Sequence, residues 1–209
     1  MTDPDSHWNR VYREKTDAAL SWHQAGATAS LALIDSLRAG PETALIDIGG
    51  GTARLVDALL DRGWLDLTVL DISPVALDQA RNRLGSAGAS VRWQPADITR
   101  WLPPRRFDLW HDRAVFHFMV TAEDQAAYLA ALEAGLAPGG HAVIATYAPD
   151  GPSQCSGLPV ARYSPERLAE TLGPGFALVT AQAHCHLTPW GAKQSFQYSL
   201  LRKLPQGGA

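Results

Sequence analysis

Ionisable side chains close four successive apolar runs. Asp47 follows "TALI", Asp71 follows "LTVL", Asp97 follows "VRWQPA", and His111-Asp112-Arg113 follows "FDLW". Packing alone does not call for a polar group at each of these places. A ligand lying across them does. The first acid opens the loop of "LIDIGGGTARLVDALL" (Leu45 to Leu60), where Gly49, Gly50 and Gly51 let backbone approach a ligand closely. A dinucleotide fingerprint would place a further glycine where Arg54 stands, and a pyrophosphate is poorly served by a carboxylate such as Asp47 next to its amide cradle. An ammonium group is well served by one. Asp71, with Ile72 beside it, lies 20 positions past Gly51, where an acid can accept from both ribose hydroxyls. Asp97 can accept an adenine amino group while Ile98 packs on the ring. The set therefore suits an adenosyl ligand with a charged amino-acid tail better than a nicotinamide dinucleotide.

The elements that must hold these residues follow from periodicity. "TALIDI", "DLTVLDI", "SVRWQPADI", "RFDLWHDRA" and "HAVIATYA" read as strands. "ARLVDALLDRG", "SPVALDQARNRLG" and "TAEDQAAYLAALEAGL" read as intervening helices, the second with Ser73 as N-cap and Pro74 at its first position. Strand–helix alternation implies an α/β fold with a doubly wound, mostly parallel sheet. After the short helix "SPERLAETLG", two strands, "FALVTAQAHCHL" and "QSFQYSLLRK", follow each other across "TPWGAK" and imply an antiparallel edge hairpin. In such a sheet, ligands bind beyond the carboxyl ends of the strands, where the ionisable residues fall. Residues 1–40 read as a helical arm over the site, 41–204 as the main domain, and 205–209 as a disordered tail. Trp8, Tyr12 and Trp22 in the arm are placed to cover a ligand and exclude water.

These motifs resemble class I S-adenosylmethionine-dependent methyltransferases. "DIGGGTA" is similar to their D-x-G-x-G-x-G/A loop, Asp71 and Asp97 to their ribose and adenine contacts, and "LAPGGHAVI" to the passage into their fifth strand. The resemblance runs from about Thr43 to Lys203. It implies a seven-stranded sheet in the order 3-2-1-4-5-7-6 with strand 7 antiparallel, S-adenosyl-L-methionine as cofactor and S-adenosyl-L-homocysteine as product. It implies cofactor contacts from Asp47, Gly49, Gly50, Gly51, Asp71, Ile72, Asp97, Ile98, His111, Trp22 and Tyr12. On strand four, "HDRAVFHF" lacks the N/D-P-P-Y/F motif of many amino methyltransferases and looks more like the turn of thiopurine-type and some protein-lysine enzymes. His111, Asp112 and Arg113 are accordingly the candidate catalytic group. No covalent intermediate is required, and no Ser-His-Asp arrangement is expected.

The bulk properties narrow the partners. The chain has 209 residues and a formal net charge of −3, which disfavours a nucleic-acid partner. A small-molecule acceptor is expected, with a protein-lysine acceptor as the alternative and a nicotinamide oxidoreductase or a non-catalytic binding module as rivals. His184, His186 and Cys155 lack the paired spacing of a metal site, so no metal is expected. Apolar runs too short to span a bilayer and only two cysteines fit a reduced, cytoplasmic protein without membrane contact, monomeric or homodimeric.

Overall fold

The computed structural model describes residues 4–205, with side chains from residue 6; residues 206–209, most of the expected tail, lie outside it. Helices α1 (Pro4–Glu14) and α2 (Thr28–Asp35) precede the sheet. Then follow β1 (Leu45–Ile48), α3 (Leu55–Asp61), β2 (Leu67–Asp71), α4 (Pro74–Leu84), β3 (Arg92–Pro95), β4 (Phe107–Arg113), α5 (Ala122–Gly135) and β5 (Leu136–Tyr147). The chain ends with α6 (Pro165–Leu172), β6 (Phe176–Leu187) and β7 (Lys193–Lys203). The sheet order is β3-β2-β1-β4-β5-β7-β6, with only β7 running antiparallel to its neighbours. This is the order the family resemblance implied.

The composition of each strand matches its place. β1 and β2 are interior strands buried at every residue, and apart from Asp47 in β1 and Thr68 and the terminal Asp71 in β2 their residues are apolar. β3 and β6 lie at the edges and leave half or more of their residues partly or fully exposed. Ser73 caps α4 as expected, its Oγ accepting from Ala76 N–H at 3.2 Å, and Thr121 caps α5, its Oγ1 accepting from Asp124 N–H at 3.1 Å.

Three features differ from the sequence reading in detail. β5 begins at Leu136 rather than beyond the glycines. "PGG" lies within it as an irregularity in the β4 pairing, with Gly139 at φ +78°. A two-strand ribbon pairs Gln154–Cys155 with Leu158–Pro159, turning through Ser156 (φ +50°) and Gly157 (φ +78°). Two positive φ values in succession make a primed hairpin turn, and the Ser-Gly pair was its sequence signal. Finally, α2 belongs to the body of the fold. Its Ala29, Leu33 and Ile34 share one buried cluster with β1, β4, β5 and β7, and Gln182 Nε2 donates to the Ala29 carbonyl at 2.9 Å. α1 instead rests on α4, where Gln79 Nε2 donates to the Tyr12 carbonyl and Ser73 Oγ to Asn9 Oδ1, both at 2.8 Å.

Candidate active site

The glycine loop leaves β1 under tight constraint. Gly49 (φ +64°) and Gly51 (φ +46°) take left-handed conformations. A Cβ on Gly51 would lie 2.5 Å from the Tyr12 hydroxyl and 3.1 Å from Asp71 Oδ2. Arg54 ends the loop as the residue before α3. Its guanidinium turns outward to Asp17 at 3.3 Å and Asp57 at 3.5 Å, away from any phosphate cradle.

The acids of β2 and β3 face one cavity of about 470 Å³, within the range of small-molecule sites. Asp71 is 5% exposed and accepts from Ser73 N–H at 2.8 Å and from Gly51 N–H. Burial pushes its carboxyl up to about 7, aided by the Asp47 charge and opposed by the two amide donors. Asp97 Oδ1 accepts from both Thr99 N–H and Thr99 Oγ1–H, at 2.9 and 2.8 Å, which leaves Oδ2 without a donor among the described residues. Gly49, Ile72, Ile98, Trp8, Tyr12 and Trp22 line the same cavity, with Arg113 and Cys155. Burial, with Asp71 next to it, raises the Tyr12 hydroxyl well above its ordinary range, so it stays protonated.

The three candidate residues of β4 diverge, since successive side chains on a strand point to opposite faces. In the neutral imidazole, His111 Nδ1–H donates to Asp47 Oδ1 at 2.6 Å, and Ser30 Oγ–H donates to Nε2 at 2.8 Å. All three residues are at most 3% exposed. The sequence reading expected no file of acid, imidazole and hydroxyl, and here one is present. It is the arrangement of nucleophilic hydrolases. The cavity beside it, however, is only about 40 Å³, too small for an acyl substrate, and Ser30 sits on a helix packed against the sheet. The file ties α2 to β1 and β4. Ser30 escaped notice because nothing local marks a serine on an apolar helix whose partner is 81 positions away.

Asp112 faces the other side, toward α5. It is fully buried and accepts from Val115 N–H (2.9 Å), Phe116 N–H (3.0 Å) and Tyr128 Oη–H (2.6 Å). Burial raises its carboxyl to about 6 despite these donors. It does not line the cavity; it fixes the turn that places Val115 and Phe118 there. Arg113 points to the cavity, as detailed below. His117, from the same stretch, is fully buried, and neither ring nitrogen has a partner among the described residues. Burial and the Arg113 charge press it down to about 3, keeping it neutral. Nor does the late strand gather a ligand set: His186 Nε2–H donates to the Ser21 carbonyl at 2.7 Å, and among the described residues no three His, Cys, Asp or Glu side chains converge as a metal site. Among those residues no helix is long and apolar enough to cross a membrane.

Residues 45–140, from the glycine loop into β5, match the family model described as "Methyltransferase domain". Just under half of the chain thus matches a methyltransferase domain. The site fits S-adenosylmethionine: an apolar cavity over a glycine loop, with one buried acid, Asp71, and one half-buried acid, Asp97, each retaining acceptor capacity. The chain is 24% identical over 120 residues to the mouse (Mus musculus) "eEF1A lysine and N-terminal methyltransferase", covering 57% of this chain and 17% of that protein's length. Among solved structures, one from work titled "Conversion of a Disulfide Bond into a Thioacetal Group during Echinomycin Biosynthesis" superposes with TM-score 0.76 at 22% identity, covering 96% of this chain and 93% of the other. The Burkholderia thailandensis 1,6-didemethyltoxoflavin-N1-methyltransferase, solved with its substrate and S-adenosylhomocysteine, superposes with TM-score 0.67 at 22% identity, covering 96% and 84%. These structural likenesses establish the fold.

Proposed function

We propose that this methyltransferase passes a methyl group to a heteroatom of a small-molecule acceptor and releases S-adenosylhomocysteine. The observation that carries the reading is the roof of the cavity. Trp8, Tyr12 and Trp22 close over one side of it, which leaves room for a compact acceptor beside the cofactor rather than an open cleft for a folded protein. The toxoflavin-precursor enzyme of like fold acts on a compact heterocycle, which agrees with this.

S-adenosylmethionine supplies a methyl on an already activated sulfonium carbon. The chain's own residues then have to hold, align and keep dry. Asp71 takes the ribose hydroxyls with the oxygen capacity that Ser73 and Gly51 leave open, and Ile72 packs beside it. Asp97 Oδ2 takes the adenine amino group, and Ile98 packs on the ring. Gly49, Gly50 and Gly51 let backbone meet the sugar and tail. Asp47 and His111, with Ser30, set the polar wall next to the tail, and Tyr12 and Trp22 cover it. Asp112 is a positioning residue that acts through the 113–116 turn. The cavity lining holds no histidine or lysine among the described residues, which favours an acceptor that arrives already nucleophilic.

A protein-lysine acceptor is the second reading, favoured by the match to the eEF1A methyltransferase. One experiment separates them. Lysate is incubated with the protein and methyl-labelled cofactor, then split into small-molecule and protein fractions. Label in the small-molecule fraction supports the proposal; label mainly on protein reverses it.

A further inference from the structure

Arg113 ends β4 with its guanidinium against the arm and β7. Its Nε–H donates to Tyr198 Oη at 2.9 Å and its Nη1–H to the Trp22 carbonyl at 3.0 Å. The guanidinium carbon lies 5.0 Å from the centroid of the Phe196 ring. These contacts are all neutral. Nη2 is buried and has no hydrogen-bond partner among the described residues, and no described carboxylate pairs with the side chain. Nearby groups supply no counter-charge. Burial holds the Cys155 thiol and the Tyr147 phenol up and His117 down, so all three are neutral around the cation. The acids of the two cavities that Arg113 borders are Asp71, Asp97 and Asp124 in the larger and Asp17 and Asp47 in the smaller, and none of them forms an ion pair with it among the described residues.

A guanidinium stays charged at any working pH. Shielded from water without a counter-charge or a full set of acceptors, it is costly, and an oxygen anion on Nη2 relieves both deficits. The walls beside it are aromatic: Trp8 meets Trp22 edge-on at 5.7 Å and Phe118 at 5.3 Å between centroids. Resting on the methyltransferase reading above, we propose that Arg113 Nη2 anchors the acceptor, and that the acceptor is an aromatic carboxylic acid held through its carboxylate. Arg113 also borders the smaller cavity, so the carboxylate of the cofactor's own tail is the competing occupant.

The test is calorimetry on the full chain saturated with S-adenosylhomocysteine. The probes are benzoate, phenylacetate and indole-3-carboxylate, each beside its primary amide. At least one acid should bind about tenfold or more tightly than its amide, the difference expected of one charge-assisted bond. Arg113→Gln should erase that preference, while any change in affinity for S-adenosylhomocysteine through the lost bond to the Trp22 carbonyl is matched by an equal change for 5′-methylthioadenosine. If no acid outbinds its amide on the wild-type protein, which needs no variant to fold, the anchor is refuted. If Arg113→Gln weakens S-adenosylhomocysteine but not 5′-methylthioadenosine, which lacks the tail carboxylate, Nη2 serves the cofactor and the proposal is overturned. Wild-type protein that takes up no S-adenosylhomocysteine refutes the methyltransferase reading itself, an outcome distinct from either.

Discussion

The ends of β2 and β3 and the end of β4 use carboxylates in opposite ways. Asp71 and Asp97 are each steadied by the chain directly after them, through Ser73 and Thr99, and keep acceptor capacity toward the cavity. Asp112 is saturated: two amides and a phenol converge on it, and it faces away from the cavity. His111 is likewise used at both nitrogens. A half-satisfied acid at the cavity wall is arranged for a ligand, whereas a fully satisfied one is arranged for the fold. Position at a strand end does not tell the two apart; the remaining hydrogen-bond capacity does.

That contrast can be broken from either side. The largest effect is expected at Asp112. Asp112→Ala strands three buried donors and should cost about 4 kcal/mol, or roughly 8–16 °C in melting temperature. Below the transition the variant should still bind S-adenosylhomocysteine normally; normal stability with lost binding would place Asp112 in the ligand site instead. Next comes Asp71→Ala, expected to weaken S-adenosylhomocysteine about 100-fold, with a smaller loss of melting temperature in the ligand-free protein than Asp112→Ala gives, since it strands two backbone donors rather than three groups. Unchanged affinity in titration calorimetry would remove the ribose assignment.

The smallest effect is a slope. Asp71 titrates near 7 in the ligand-free protein, and only its carboxylate can accept from both ribose hydroxyls. Affinity should therefore fall about tenfold per pH unit as pH drops below that value, and level off above it. Asp71→Asn should flatten the slope. For folding itself the sign is reversed. A carboxyl raised above its unfolded value of 3.8 contributes stability that is full below that value, and it is lost as pH rises through about 7.

Much of this was legible in the sequence because it is local. Alternation and crossover handedness point to a mostly parallel sheet, the family resemblance implies its strand order, and the loop and the acids at Asp71 and Asp97 sit at fixed offsets along the chain. Arg54 could be set aside as a phosphate-loop defect for the same reason, although its partner Asp17 could not be foreseen. The end of β4 was not legible. Which of His111, Asp112 and Arg113 faces the cavity depends on neighbours far along the chain: Ser30 for the first, Tyr128 for the second, Trp22 and Tyr198 for the third. An alternating strand declares that two faces exist, not what will be packed on each.

One close approach reaches past the chemistry. A Cβ added to Gly49 would run into the Val115 side chain. The loop after β1 and the turn after β4 are therefore two halves of a single mould, though 66 positions separate them. A side chain at 49 and a valine at 115 exclude each other, so neither loop can be redesigned, transplanted or allowed to drift without the other.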